Sequence, residues 1–267
     1  MSSFMFGGFV GFNKDRGGDW GENLLNTVAS NTIRHLFTRS ELVEVAVRCH
    51  PSSKLLQGTI DSFKMSGRGL VIRRDFRTEE MSFETDTVAL DFSSVLQGKI
   101  SLKQPTQAIA QVKLTETDIN KSFKADLVRK RLENLDLPAL TEISGGEPVS
   151  FTDVEVQLLP NNSIKFFAKA SWSERSVPVS FRCTLEVARR RKIIFGNLQF
   201  DPDPIPEELQ ELSQKLTTAL GEILNEMVDL DRFDLDGVTM RLNRLETEGK
   251  NLLFSGYAQI ERVPQVG

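Results

Sequence analysis

The sequence predicts an α+β protein in which a long, curved antiparallel sheet wraps around long amphipathic helices. Three observations carry that prediction. Val177, Val179, Phe181, Cys183, Leu185 and Val187 alternate strictly with Ser180, Arg182, Thr184 and Glu186, the period-two signature of a half-buried strand. Ile205, Leu209, Leu212, Leu216, Ala219, Ile223, Met227 and Leu230 keep the three-and-four spacing of one helix face. An 11-residue strand at about 3.3 Å per residue and a 26-residue helix at about 1.5 Å per residue reach roughly 36 and 39 Å, so the two match in length. Together they describe a long antiparallel sheet curling around helices of matching length.

The remaining elements follow in chain order. Residues 1–18, rich in Gly, Ser and Phe, read as a flexible tail, and Phe4, Phe6, Phe9 and Phe12 within it suit insertion into a bilayer, plugging of a cavity mouth or plain disorder. Residues 19–267 read as one elongated domain, its halves 19–137 and 149–267 joined by the Pro/Gly segment Pro138–Pro148. From Asp19 to Phe37, Leu25, Ala29, Ile33 and Leu36 fall at helical spacing. Val43, Val45, Val47 and Cys49 then alternate as a strand that stops at His50-Pro51. Glycines 58, 67 and 69 punctuate two strands between Leu55 and Arg74. Met81 and Phe83 hold one parity and Val88, Leu90 and Phe92 the other, which predicts a bulge near Asp86. Ala108 to Leu114 alternates again, and Thr115 with Asp118 predicts a capped helix running through Ile119, Phe123 and Leu127 to about Leu132. Beyond the joint come Val154 to Leu158, a Pro160-Asn161-Asn162 turn, Ile164 to Trp172, Ile193 to Phe200, and a closing hairpin through Val238 to Leu242 and Leu252 to Ile260.

Composition narrows function by exclusion. No run of about 18 apolar residues is present, so no spanning helix is expected. Without an export signal, and with two distant cysteines that form no CxxC, a reducing compartment is expected. No GxSxG, Walker loop, GxGxxG or HExxH occurs. His35 and His50 lack partners at ligand spacing, and the aspartates 229, 231, 234 and 236 do not follow the calcium-loop pattern, so neither catalysis, nor a metal, nor a cofactor is expected. Eighteen Phe against one Tyr fit an interior with few polar handles, whether a dry core or a lining for acyl chains. Basic clusters at Arg73-Arg74, Arg129-Lys130-Arg131 and Arg189-Arg190-Arg191-Lys192 suit solvated faces or anionic headgroups. A sequence pI near 5.5 and the lack of aromatic interleaving argue against nucleic acid.

The run from Leu55 to Leu70, LLQGTIDSFKMSGRGL, resembles the LmeA-like phospholipid-binding family in its cyanobacterial and plastid-type branch. So do Leu102 to Ala108, Leu114 to Asn120 and Phe254-Ser255-Gly256-Tyr257-Ala258. The resemblance covers roughly residues 20–263 and implies an elongated, tubular, non-catalytic protein that binds or transfers phospholipid, or another acyl lipid, in an apolar groove at a membrane surface, on its cytoplasmic or plastid stromal side. On that reading the strands line the groove with Phe83, Val112, Phe166, Val179, Phe181, Leu185 and Phe254. The helices line it with Ile119, Phe123, Leu127, Leu212, Leu216 and Ile223. Arg129, Lys130, Arg131, Arg189, Arg190, Arg191 and Lys192 meet headgroups. The alternative is a scaffold with a filled core that binds protein partners through the acidic helix at 205–230.

Overall fold

The computed structural model describes residues 20–72, 75–230 and 237–263, so the expected tail at 1–18 and the Arg73-Arg74 pair lie outside the described residues. The chain is α+β and its sheets are antiparallel. Helix α1 (Trp20–Arg34) leads into β1 (Leu42–Arg48), α2 (Ser53–Leu56), β2 (Thr59–Ile60) and β3 (Ser62–Ile72). Strand β4 (Phe76–Thr85), β5 (Val88–Ala89), α3 (Phe92–Leu96) and β6 (Thr106–Thr115) follow. Three short helices, α4 (Glu116–Ser122), α5 (Asp126–Arg129) and α6 (Pro138–Ser144), precede the strands β7 (Ser150–Leu159), β8 (Ser163–Trp172), β9 (Arg175–Ala188) and β10 (Lys192–Phe200). The long helix α7 (Gln210–Met227) and the hairpin β11 (Val238–Glu248) and β12 (Asn251–Ile260) complete the order.

The strands divide into a six-stranded sheet β1-β3-β4-β6-β12-β11, a four-stranded sheet β10-β9-β8-β7 and the small pair β2-β5. Strand β12 pairs with β6 along its whole length, so the C-terminal hairpin completes the sheet begun by the N-terminal strands. The parity change near Asp86 is therefore a change of sheet and not a bulge. The chain leaves β4 at Thr85, whose hydroxyl accepts the Phe63 N–H and donates to the Asp86 carbonyl, and re-enters pairing as β5 against β2.

Other expectations shift at their edges. The helix expected over 115–132 starts as predicted, with Thr115 and Asp118 capping each other's backbone N–H groups. It breaks after Ser122, whose hydroxyl turns back onto the Ile119 carbonyl at 2.7 Å, a local bond that competes with the helical ladder. The helix expected over 205–230 contracts to α7 after a single 3₁₀ turn, Glu207–Leu209, because three prolines hold residues 202–206 out of the helix. The Pro138–Pro148 segment carries α6, closed by Gly145 in the left-handed region, and Leu140 on that helix is fully buried.

The main core lies between the four-stranded sheet and α7. Phe151, Phe166, Phe181, Leu216, Leu220 and Leu224 are among its fully or almost fully buried members. Phe166 stacks on Phe181 with centroids 5.0 Å apart, and Phe123 meets Phe166 edge-on at 5.7 Å. A second core joins α1 to β1, α2, β2, β5 and α3 through Leu25, Val47, Leu55, Ile60, Val88 and Val95.

Both edges of the four-stranded sheet are closed by asparagines from helices. Asn120 of α4 donates to the Val156 carbonyl at 2.9 Å and accepts the Val156 N–H at 2.7 Å. Asn225 of α7 treats Phe195 of β10 in the same way, accepting its N–H at 2.8 Å and donating to its carbonyl at 3.4 Å. Each amide replaces one residue of a missing neighbouring strand and blunts an edge that would otherwise template association. Asn120→Ala or Asn225→Ala is expected to destabilise by about 1–3 kcal/mol, since each leaves a half-buried donor and acceptor unpaired. Urea titration of the two variants reads this directly.

Gly256 illustrates why one of the family-like stretches has the residues it has. A Cβ built there would lie 2.0 Å from the Arg241 carbonyl oxygen, across the register shift between Leu242 and Arg244. Backbone atoms cannot swing aside as a side-chain tip can. Gly256→Ala is expected to lower stability by about 1–3 kcal/mol, the usual range for overpacking, and thermal melts check it.

Candidate functional site

An open cleft of about 650 Å³ lies between α6 and α7. Its size falls within the range of about 300–1,000 Å³ typical of small-ligand sites. Leu137, Pro138, Ala139 and Leu140 form one wall, and Ala219, Ile223 and Met227 form the other. The second wall follows from sequence spacing, since positions 219, 223 and 227 stack on one face of α7. The first wall follows from Pro138 at the start of α6, which sets the helix origin so that Leu140 plugs the core while Leu137 stays 41% exposed in the cleft.

The polar groups of the cleft are Arg131, Glu222 and Glu226. Arg131 donates to the Met227 carbonyl at 3.2 Å, placing a cation at the C-terminal, partially negative end of α7. Lys192 pairs with Glu226 at 2.9 Å, the Ile193 N–H donates to the Val228 carbonyl, and the Leu230 N–H donates to the Arg191 carbonyl. Two basic clusters about 60 positions apart in sequence thus converge on the same helix end. Within them, Arg129 is engaged by Asp126 and Glu133, and Arg190 bonds Asn243 and lies over the Tyr257 ring at 5.8 Å. Lys130 and Arg189 are exposed.

The residues expected to line a groove separate into three groups. Phe166, Val179, Phe181, Leu185 and Leu216 are buried in the main core, packed against side chains, with Ile119, Phe123 and Leu212 at its half-buried margin. Phe83, Val112 and Phe254 lie on the apolar face of the six-stranded sheet, where Phe83 pairs with Ala110 and Phe254 with Val112. Beside them Ala108, Ala110 and Ala258 form a low, small-residue patch flanked by half-buried Met240 and Ile260. The helices packed on this sheet sit at its margins, α1 on β1 and α4 at the Thr115 end of β4 and β6. Ile223 alone of the expected lining reaches the α6–α7 cleft, and Leu127 is exposed. Sequence reasoning missed Leu137 to Leu140 because Pro and Gly marked that stretch as a joint; its apolar residues were the available signal.

Among the described residues no group of three or more His, Cys, Asp or Glu side chains is placed to hold a metal ion. Burial pushes the Cys183 thiol up to about 12, and burial with the nearby Asp61 and Glu22 charges raises Cys49 as well. Both thiols are therefore protonated and unreactive at neutral pH. A thiol-reactive chromophore is expected to label neither cysteine in the native protein at pH 7.5 and both in guanidinium. The Arg77 guanidinium is raised by hydrogen bonds to Glu79, Glu41 and the buried Asp118, a network that pins β4 to the start of α4.

The fold is an antiparallel α+β architecture with an open cleft of mixed apolar and charged lining between α6 and α7. The chain belongs to the LmeA-like phospholipid-binding family, whose model matches residues 17–256. No curated protein and no solved structure shows a significant match. No described helix is long and apolar enough to cross a membrane.

Proposed function

We propose that the protein binds a phospholipid or related acyl lipid without catalysing a reaction on it, and that the α6–α7 cleft takes the acyl chain. The apolar walls of that cleft, set against the family's description, carry the reading. Chain burial against Leu137, Ala219, Ile223 and Met227 drives binding at about 0.8 kcal/mol per methylene removed from water. Arg131 and Lys192, which meet the Glu226–Met227 end of α7, supply the headgroup contact, and the sheet face with buried Val112 and half-buried Phe83 and Phe254 offers a second apolar surface. Handing lipid to or from a membrane surface follows naturally from an open site.

A fluorescent acyl probe tests this. Its emission is expected to rise on mixing with the protein and to be reversed by added phospholipid; a probe that stays dark at micromolar protein would overturn the reading. The filled core between the four-stranded sheet and α7 favours the alternative of a scaffold whose acidic helix meets protein partners. The same titration separates the two, since a scaffold leaves the probe dark.

A further inference from the structure

We infer that the protein docks on a lipid bilayer through Leu56 and Leu96, carried on two copies of one structural turn. The stretch Leu55-Leu56-Gln57-Gly58-Thr59-Ile60 repeats as Val95-Leu96-Gln97-Gly98-Lys99-Ile100. The repetition extends to the backbone. In the first copy the Gln57 N–H donates to the Lys54 carbonyl at 3.0 Å and the Gly58 N–H to the Leu55 carbonyl at 2.9 Å. In the second, Gln97 donates to Ser94 at 3.0 Å and Gly98 to Val95 at 2.9 Å. Both glycines are left-handed, with φ of 79° and 75°.

Each turn plugs the same small core with its first apolar residue, Leu55 or Val95, and leaves the next one in solvent. Leu56 is 60% and Leu96 62% exposed, more than any other large apolar side chain among the described residues. A single exposed leucine needs no explanation. Two at equivalent positions of a repeated turn, both mounted on one core, amount to a built feature. Residues 89–91 run between the turns and tie them together: the Leu90 N–H donates to the Gly58 carbonyl and the Asp91 N–H to the Ser101 carbonyl, each at 2.8 Å.

The chain outside the described residues favours a bilayer as the occupant. Residues 1–19, with Phe4, Phe6, Phe9 and Phe12, join the molecule at the start of α1. There a Cβ on Gly21 would lie 3.0 Å from Ser52 Oγ and 3.5 Å from the Leu55 side chain. Glu22 accepts the Cys49 N–H at 2.9 Å in the same place. The start of α1, which the phenylalanine-rich sequence precedes, thus lies beside α2. Exposed Lys99 and Lys103 suit the phosphate level above inserted leucines. Of the neighbouring acids, Asp61 is paired with Lys54, and Asp91, held ionised by hydrogen bonds from Ser93 and Ser94, lies in the field of Lys103. This docking face is separate from the α6–α7 cleft and does not depend on what the cleft holds.

Flotation of the full chain with vesicles of phosphatidylcholine and phosphatidylglycerol in equal parts tests the inference. The double variant L56S/L96S is expected to reduce vesicle partitioning by about tenfold or more, since each leucine contributes apolar burial only in the membrane-bound state. Both side chains are exposed, so the melting temperature and the acyl-probe affinity are expected to stay at wild-type values. Wild-type protein that fails to float, or a variant that floats as well as wild type, would overturn the inference. So would a concentration-dependent dimer that L56S/L96S dissociates while flotation is unchanged, because the leucines would then meet a second copy of the chain.

Discussion

Phe181→Asp is expected to abolish folding, while Arg182→Asp one position along the same strand is expected to leave the protein soluble and within about 0.5 kcal/mol of wild type. The reason is geometric. Phe181 has no solvent exposure and stacks on Phe166, whereas Arg182 points to the opposite, exposed face of β9. Truncation to alanine at such a position already costs about 3–5 kcal/mol. A buried carboxylate adds desolvation with no cation opposite it, and the total rivals the about 5–15 kcal/mol by which domains are ordinarily stable. Soluble yield and far-ultraviolet circular dichroism of the two variants, expressed side by side, check the expectation. Equal effects would contradict the assignment of one buried and one exposed face to β9.

The second large effect is on binding and leaves the fold standing. Ile223→Glu and Leu137→Glu place a carboxylate on opposite walls of the α6–α7 cleft. Each is expected to weaken acyl-probe binding by about tenfold or more, equivalent to at least about 1.4 kcal/mol. Ile223 is half-buried at the margin of the main core, so part of its effect falls on stability. Leu137 is 41% exposed and its substitution is a surface change. The fluorescence titration of Leu137→Glu therefore isolates the cleft, and wild-type affinity in that variant would move the chain-binding surface elsewhere, to the Phe83 and Phe254 face first.

The two variants also mark what the sequence makes legible. Period-two alternation along β9 and the Thr115-Asp118 cap are local patterns, and both appear as predicted. The Asn161-Asn162 turn does too, since short polar side chains tolerate positive φ there. Alternation says that one face of a strand is covered. It does not say by what. The β9 face that suggests a groove wall is filled by α7 through Leu216, Leu220 and Leu224 and by the Phe123–Phe166 contact, a fact of tertiary packing.

The cleft was hidden for a different reason. Its walls are about 80 positions apart in sequence, one of them inside a segment whose Pro and Gly content reads as a joint. The parity change at Asp86 misleads in a related way, because a bulge and a change of sheet leave the same mark on a linear pattern. The family likeness of the Phe254–Ala258 stretch lies in backbone constraints such as Gly256. Such constraints identify a fold and carry no ligand chemistry.

Native mass spectrometry of gently purified protein tests the central claim most directly. The account predicts a stoichiometric adduct with the mass of an acyl lipid, released by organic extraction and depleted in Leu137→Glu. A bare chain mass, together with no uptake of lipid from added phospholipid, would contradict it.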